Sequence, residues 1–206
     1  MKKKRKRRLK KMEILQTKVQ GCTACKLCRK AKHKVFGEGD VCAKVVICGE
    51  APGEDEDFHN RPFIGKAGKL LRRMLKALEI DVDKIFILNI CKCRPPNNRV
   101  PLPNEIKACR KWLDAQLKIL RPDLIITLGA TAAQILLNTQ LGIMKLKTFL
   151  KVRGCMRIVP LLHPGFFLRQ RPKSEIDEWK EEIKDAFALA DVPPPTGKSW
   201  WKYLGT

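Results

Sequence analysis

The sequence has no apolar run near the roughly 18 residues that a membrane-spanning helix needs. It also lacks a charged segment followed by an apolar stretch and a small-residue cleavage site. These absences predict a soluble, cytoplasmic protein with no membrane partner. Acidic side chains are scarce, 21 against 43 Lys and Arg, for a formal charge of +22. Nine of the basic residues fall within Lys2 to Lys11, so the remainder still carries about +13. A compact basic body points to a polyanion, and nucleic acid is the commonest in a cell. There is no internal repeat, and no low-complexity segment outside the basic run. That run has too little apolar content to pack, which predicts a disordered tail over 1–11. The rest of the 206 residues, 44% hydrophobic, suffices for one core. A single domain is expected over 12–190, followed by a C-terminal tail over 191–206 with three prolines and Trp200-Trp201.

What is present alternates. Apolar spacing predicts a helix over 12–20, a strand over 44–49, a helix over 66–79 and a strand over 84–90. A Pro-rich loop over 94–103 leads to a helix from an N-cap at Asn104 to Leu120. Strands over 123–128 and 156–162 flank a helix after Gly129. A last helix begins at Ser174, where Ser-Glu-Ile-Asp resembles a capping box, and runs to about Ala190. Strands alternating with helices imply an α/β fold, a mostly parallel sheet covered on both faces.

Three features carry chemistry. The stretch GEAPGEDEDFHNRPFIGKAG, Gly49 to Gly68, sets five carboxylates and Phe63 in a loop between a strand and a helix, where open α/β sheets bind ligands. Nine cysteines in an intracellular chain argue for metal or redox chemistry before a disulfide framework. Cys22-x-x-Cys25 and the pair Cys93 and Cys109 can close a four-thiolate site; zinc and an iron–sulfur cluster both accept it. Cys28 and Cys91 compete for the same site, whereas Cys48, Cys42 and Cys155 read as small buried hydrophobes. In Leu161-Leu162-His163-Pro164-Gly165-Phe166-Phe167-Leu168-Arg169 a histidine ends a strand, followed by an apolar knuckle beside arginines. Such apolar side chains can wedge a base step open while the arginines hold phosphates, although Phe166 and Phe167 also suit a core.

The glutamate loop, LNICKCRPPNNRVPLPNEIKAC and LLHPGFFLR together resemble the iron–sulfur-containing, family 4 uracil-DNA glycosylases of bacteria and archaea in order and spacing over residues 12–190. The resemblance implies a three-layer α/β/α sandwich with a central four-stranded parallel sheet. It implies a monofunctional base-excision repair enzyme that flips uracil from DNA and hydrolyses its glycosidic bond. It selects a [4Fe–4S] cluster over zinc, with Cys22, Cys25, Cys93 and Cys109 as ligands. Within it, Phe63 stacks on the base, and Asn89 accepts from uracil N3–H and donates to O4. Glu50 or Glu56 stabilises the sugar cation and orients water, while His163 hydrogen-bonds uracil O2. Backbone N–H groups of Ala51 and Gly53 can bind base or phosphate. Arg94 and Arg99, with the knuckle Phe166, Phe167, Leu168 and Arg169, are expected on DNA. The chain departs from the pattern in its basic N-terminal run, in Gly165 after His163-Pro164, and in the extra thiols Cys28 and Cys91. A monomer is expected; a sliding-clamp partner is compatible with the sequence but carried by no motif in it. One alternative is a non-catalytic nucleic-acid-binding relative. Another is a variant that traps the abasic sugar through an inserted basic loop, for which Ala67-Gly68-Lys69-Leu70 leaves no room.

Overall fold

A computed structural model describes residues 2–147, 151–153, 156–169 and 171–191. Among the described residues six strands form one sheet: β1 (Glu38–Gly39), β2 (Val45–Gly49), β3 (Phe86–Asn89), β4 (Leu124–Leu128), β5 (Lys151–Arg153) and β6 (Met156–Leu161), in the order β1-β3-β2-β4-β6-β5. The central four, β3-β2-β4-β6, are parallel, as expected, and the short β1 and β5 add antiparallel edges that two or three residues do not announce in sequence. The helices are α1 (Lys2–Gln20), α2 (Glu54–His59), α3 (Lys66–Ala77), α4 (Pro103–Leu120), α5 (Ala130–Leu137), α6 (Ile143–Leu146) and α7 (Lys173–Ala188).

Alternation along β2 sorts the core into two layers. Val46 and Cys48 face one side with Met12, Leu15 and Val19 of α1, Leu113 and Leu117 of α4 and Ala132 of α5. Val45 and Ile47 face the other with Leu71 and Leu75 of α3 and Trp179 and Ile183 of α7. Every residue of β2, β3 and β4 is buried, because helices cover both faces. Burial pushes the Cys48 thiol up to about 12, which suits an inert core residue. Cys42 is half-buried against the first of these layers; Cys155 lies outside the described residues, as does the Trp200-Trp201 pair.

Three expectations are corrected. The run over 2–11 is not a disordered tail but the first half of α1. Lys and Arg are good helix formers, Leu9 packs on the core, Arg8 Nη1 donates to the Val41 carbonyl at 3.3 Å, and Arg5 pairs with Asp40 at 3.4 Å. α4 is capped at Leu102 rather than Asn104: Pro103 takes the first turn, and the Glu105 carboxylate reaches back to the Leu102 N–H at 2.7 Å. α7 begins at Lys173 with Pro172 as its cap, so the expected box at Ser174 is absent.

Candidate active site and cysteine cavity

The chain leaves β2 for β3 on one side and returns to β4 on the other, so the sheet switches direction between β2 and β4. At the carboxyl ends of these strands lies a cleft of about 550 Å³, lined among others by Glu50, Ala51, Gly53, Glu56, Phe63, Asn89, Thr131, His163 and Arg169. Glu50 follows β2 and Thr131 opens α5 beyond β4; the Thr131 hydroxyl donates to the Glu50 carboxylate and ties the switch point together. Sequence reading missed Thr131, since one hydroxyl in a helical first turn carries no spacing signal.

Asn89, at the end of β3, is 2% exposed, and its Oδ1 has no hydrogen-bond partner among the described residues. A Cβ on Gly49 would stand 2.5 Å from that oxygen and 2.5 Å from the Phe63 ring, so only glycine keeps this slot open. Phe63 is buried with φ +52°, a strained backbone for a bulky residue. The strain is held from three sides. Arg72 donates to the Phe63 carbonyl at 2.9 Å and to that of Pro62 at 3.1 Å. Glu56 accepts from the N–H groups of Ile64 at 2.9 Å and Gly65 at 2.8 Å. Gly68 lets α3 approach so closely that a Cβ would fall 2.0 Å from the Phe63 carbonyl carbon.

Glu56 also accepts from Gly53 N–H at 3.1 Å. Three backbone donors therefore occupy both its oxygens, and the Gly53 N–H expected to face a ligand is already spent. What looked like an undifferentiated loop of carboxylates contains α2, with distinct duties for each acid. Asp57 is buried and receives the N–H groups of Lys32 at 3.0 Å and His33 at 2.9 Å, clasping α2 to the chain that follows the first cysteines.

His163 closes the cleft 6.1 Å from Phe63, ring centroid to centroid. Its Nδ1 accepts the Gly165 N–H at 3.1 Å, so a neutral ring carries its proton on Nε2. Burial lowers its pKa below 6.5, opposed by the nearby Glu56 charge, and keeps the imidazole neutral.

The knuckle after His163 divides. Phe167 is 6% exposed and stacks on Trp179 at 4.9 Å; it belongs to the core, which corrects its expected place on DNA. Phe166 is half-buried between Phe167 and the Arg171 guanidinium. Leu168, 46% exposed, and Arg169 remain at the surface. Across the cleft, Val100 is 60% exposed on the Pro-rich loop, a second apolar tip that sequence reading passed over. Arg99 holds Glu105 with two bonds, at 2.9 and 2.8 Å, and Arg94 contacts Asn98 at 2.8 Å and Glu54 at 3.3 Å. Both arginines therefore fasten the loop as well as face outward.

Behind β3 lies a cavity of about 20 Å³ lined by Cys22, Cys25, Cys28, Cys91, Cys93, Cys109 and Trp112. Trp112 Nε1 donates to Cys22 Sγ at 3.1 Å, and the Lys92 N–H to Cys109 Sγ at 3.3 Å. Burial pushes the Cys93 thiol up to about 12, reinforced by negative charge on Cys109 and Cys25. Burial likewise raises Cys25, against a backbone hydrogen bond from Leu27. A hydrogen bond from Cys91, followed by the Lys92 charge, brings Cys109 down to about 7 against its burial. Among the described residues, no three His, Cys, Asp or Glu side chains already stand at metal-binding spacing.

A family profile described as the uracil DNA glycosylase superfamily matches residues 36–188. The chain is 41% identical over 167 residues to a type-4 uracil-DNA glycosylase of Thermotoga maritima, covering 78% of this chain and 84% of that protein. It is 42% identical over 193 residues to one of Sulfurisphaera tokodaii, covering 88% and 86%. A third, of Archaeoglobus fulgidus, is 35% identical over 188 residues, covering 86% and 92%.

Proposed function

The chain belongs to the uracil-DNA glycosylase superfamily and is a DNA-repair glycosidase; from that premise we propose which of its atoms read the base and which carry the cleavage. The observation that carries the reading is Asn89 Oδ1, a buried acceptor without a partner in the cleft. Leaving such an atom unpaired costs about 1–3 kcal/mol, which a ligand N–H offsets. Uracil presents N3–H and O4 to the amide's acceptor and donor. Cytosine offers an acceptor and a donor in the reverse places and is rejected.

A base extruded from DNA lies over Gly49 with its face on Phe63. As the glycosidic bond breaks, negative charge grows on uracil O2 and positive charge on the sugar. The Nε2–H of neutral His163 meets the first. The Glu50 carboxylate, oriented by Thr131, meets the second and directs the attacking water. Glu56 is a positioning residue: it locks the turn that carries Phe63. Leu168 and Val100 enter the base stack from opposite rims, and Arg169 takes a phosphate. Ala67 to Leu70 lie inside α3, so the basic loop of an adduct-forming variant has no place there.

A [4Fe–4S] cluster belongs to the same reading, held by Cys22, Cys25, Cys93 and Cys109. The donor set fits: these thiols converge on one cavity, negative charge on Cys109 adds to burial in raising Cys25 and Cys93, and N–H groups aim at two of the sulfurs. A cationic iron core held there would offset the thiolate charges. The hydrolysis is redox-neutral, so the cluster's duty is structural, joining the Pro-rich loop to the turn after α1. No described helix is long and apolar enough to cross a membrane; a monomer working in the cytoplasm completes the proposal. The test is incubation with uracil-containing DNA, measuring free uracil and alkali-sensitive breaks. Release by the native protein with none by Asn89→Ala supports the assignment, and equal release by both removes Asn89 from the pocket.

A further inference from the structure

The basic run of α1 lies at the opposite end of the sheet from the cleft. Arg5 and Arg8 contact Asp40 and the Val41 carbonyl, and the Asp40 N–H bonds the Ile85 carbonyl, all just before β2 and β3 begin. The cleft residues Glu50, Asn89 and His163 come just after β2, at the end of β3 and just after β6. Five residues of β2 separate the two poles by roughly 16 Å at about 3.3 Å per residue. A duplex seated on the cleft and one seated on the basic run therefore meet opposite ends of the sheet.

Lys3, Lys4, Lys6, Arg7, Lys10 and Lys11 are exposed on this half of α1, while Arg8, Leu9 and Met12 turn toward the body. Lys118, in the last turn of α4, is exposed as well. Like charges three and four residues apart destabilise a helix, and packing through Leu9 and Met12 holds this one in place regardless. The result is a rigid rod of cations facing solvent, which phosphates neutralise with release of counterions.

We propose that the basic half of α1 is a second duplex-DNA site, independent of the base pocket, so that one molecule holds two DNA segments. It rests on the repair reading only in choosing DNA among polyanions.

The experiment counts uracil-free 12-base-pair duplexes bound per protein chain by sedimentation in low salt. Such a duplex, about 41 Å long at 3.4 Å per pair, is far shorter than the roughly 150-pair persistence length of DNA and too stiff to bend around both poles. Full-length protein is expected to take two. A variant carrying Lys3→Gln, Lys4→Gln, Lys6→Gln, Arg7→Gln, Lys10→Gln and Lys11→Gln, which keeps helix propensity, is expected to take one. Replacing the same five lysines by arginine should preserve two. The second binding event should lose affinity with salt at a log–log slope near about −5, for roughly six phosphates. Single-turnover uracil release at saturating enzyme should be equal in all three proteins. Two duplexes on the glutamine variant, or one on the native protein, overturns the proposal. So does slowed single-turnover release by the glutamine variant, which would put α1 on the path of the DNA in the cleft. If no protein releases uracil while the counts stay two, one and two, the second site stands and the pocket reading falls.

Discussion

The base cleft and the cysteine cavity share a wall, the segment from Asn89 to Cys93, yet they are built in opposite ways. The cleft is open before any ligand arrives, at about 550 Å³, and its groups are fixed by hydrogen bonds: Glu56 by three backbone N–H groups, His163 by the Gly165 N–H, and the Phe63 carbonyl by the Arg72 guanidinium. The cysteine cavity is about 20 Å³, room for roughly one water, and its thiols come mostly from turns and loops. The first region is pre-organised by strand ends. The second has its donors gathered but not arranged, the pattern expected where binding of a group and local folding are one event. The buried Lys92 joins them, its Nζ donating to the Asn89 carbonyl at 2.6 Å and its N–H to Cys109 Sγ.

The sharpest way to break this contrast is to remove a thiol. If the proposed cluster is bound, Cys93→Ser should abolish the visible absorption it gives and cost stability on the order of 10 kcal/mol, the scale of structural thiolate–metal sites. Cys28→Ser should change neither absorption nor denaturation midpoint. Loss of iron from the Cys28 variant with retention in the Cys93 variant would reverse the ligand assignment.

In the pocket, Asn89→Asp should lower the preference for uracil over cytosine by as much as about 10⁴-fold, because a carboxyl does not reproduce the fixed donor and acceptor pair. Base release from otherwise identical U:G and C:G duplexes measures this. The iron content should stay at the native value, since the change leaves the Asn89 carbonyl and its bond to Lys92 in place.

His163→Ala should slow single-turnover release by about 10²- to 10³-fold, the usual loss for one donor to a developing anion. The native ring adds a pH signature. Its folded pKa is depressed below 6.5 by burial, so the unfolded chain binds the proton first. The associated stability is present above 6.5 and is lost as pH falls through the folded value. Denaturant midpoints of native and His163→Gln proteins should therefore converge between pH 7.5 and 5. Parallel profiles would show that His163 is not buried in neutral form.

The smallest effects belong to the rims. Val100→Ala and Leu168→Ala should each slow release from duplex DNA several-fold and leave single-stranded DNA unaffected, since only the duplex needs unstacking, worth a few kcal/mol per step. Equal losses on both substrates would assign these side chains to packing.

Much of this was legible in the chain itself. The parallel core followed from apolar β-branched runs alternating with helical spacing; counting showed that Cys22-x-x-Cys25 with Cys93 and Cys109 could close a four-thiolate site, and the resemblance chose them over Cys28 and Cys91. The glutamate loop and His163 stood out because each follows a strand, where an α/β sheet presents ligands; the roles expected of Glu50, Phe63 and Asn89 came with the family resemblance. Position along the chain therefore already determined position at the cleft. Other assignments needed distances between residues far apart in sequence. Glu50 and Glu56 are the same side chain in the same loop, and only the fold gives one to Thr131 and the other to three backbone N–H groups. Phe167 and Leu168 are neighbours in an apolar run, and only the presence of Trp179 against one of them buries it and leaves the other to solvent. The basic run reads as disordered on composition, yet Leu9, Arg8 and Met12 find partners on the body and make it a helix. Local sequence fixes periodicity, turn chemistry and charge; which polar atom is satisfied and which is left for a ligand is a property of contacts that form only when the chain closes.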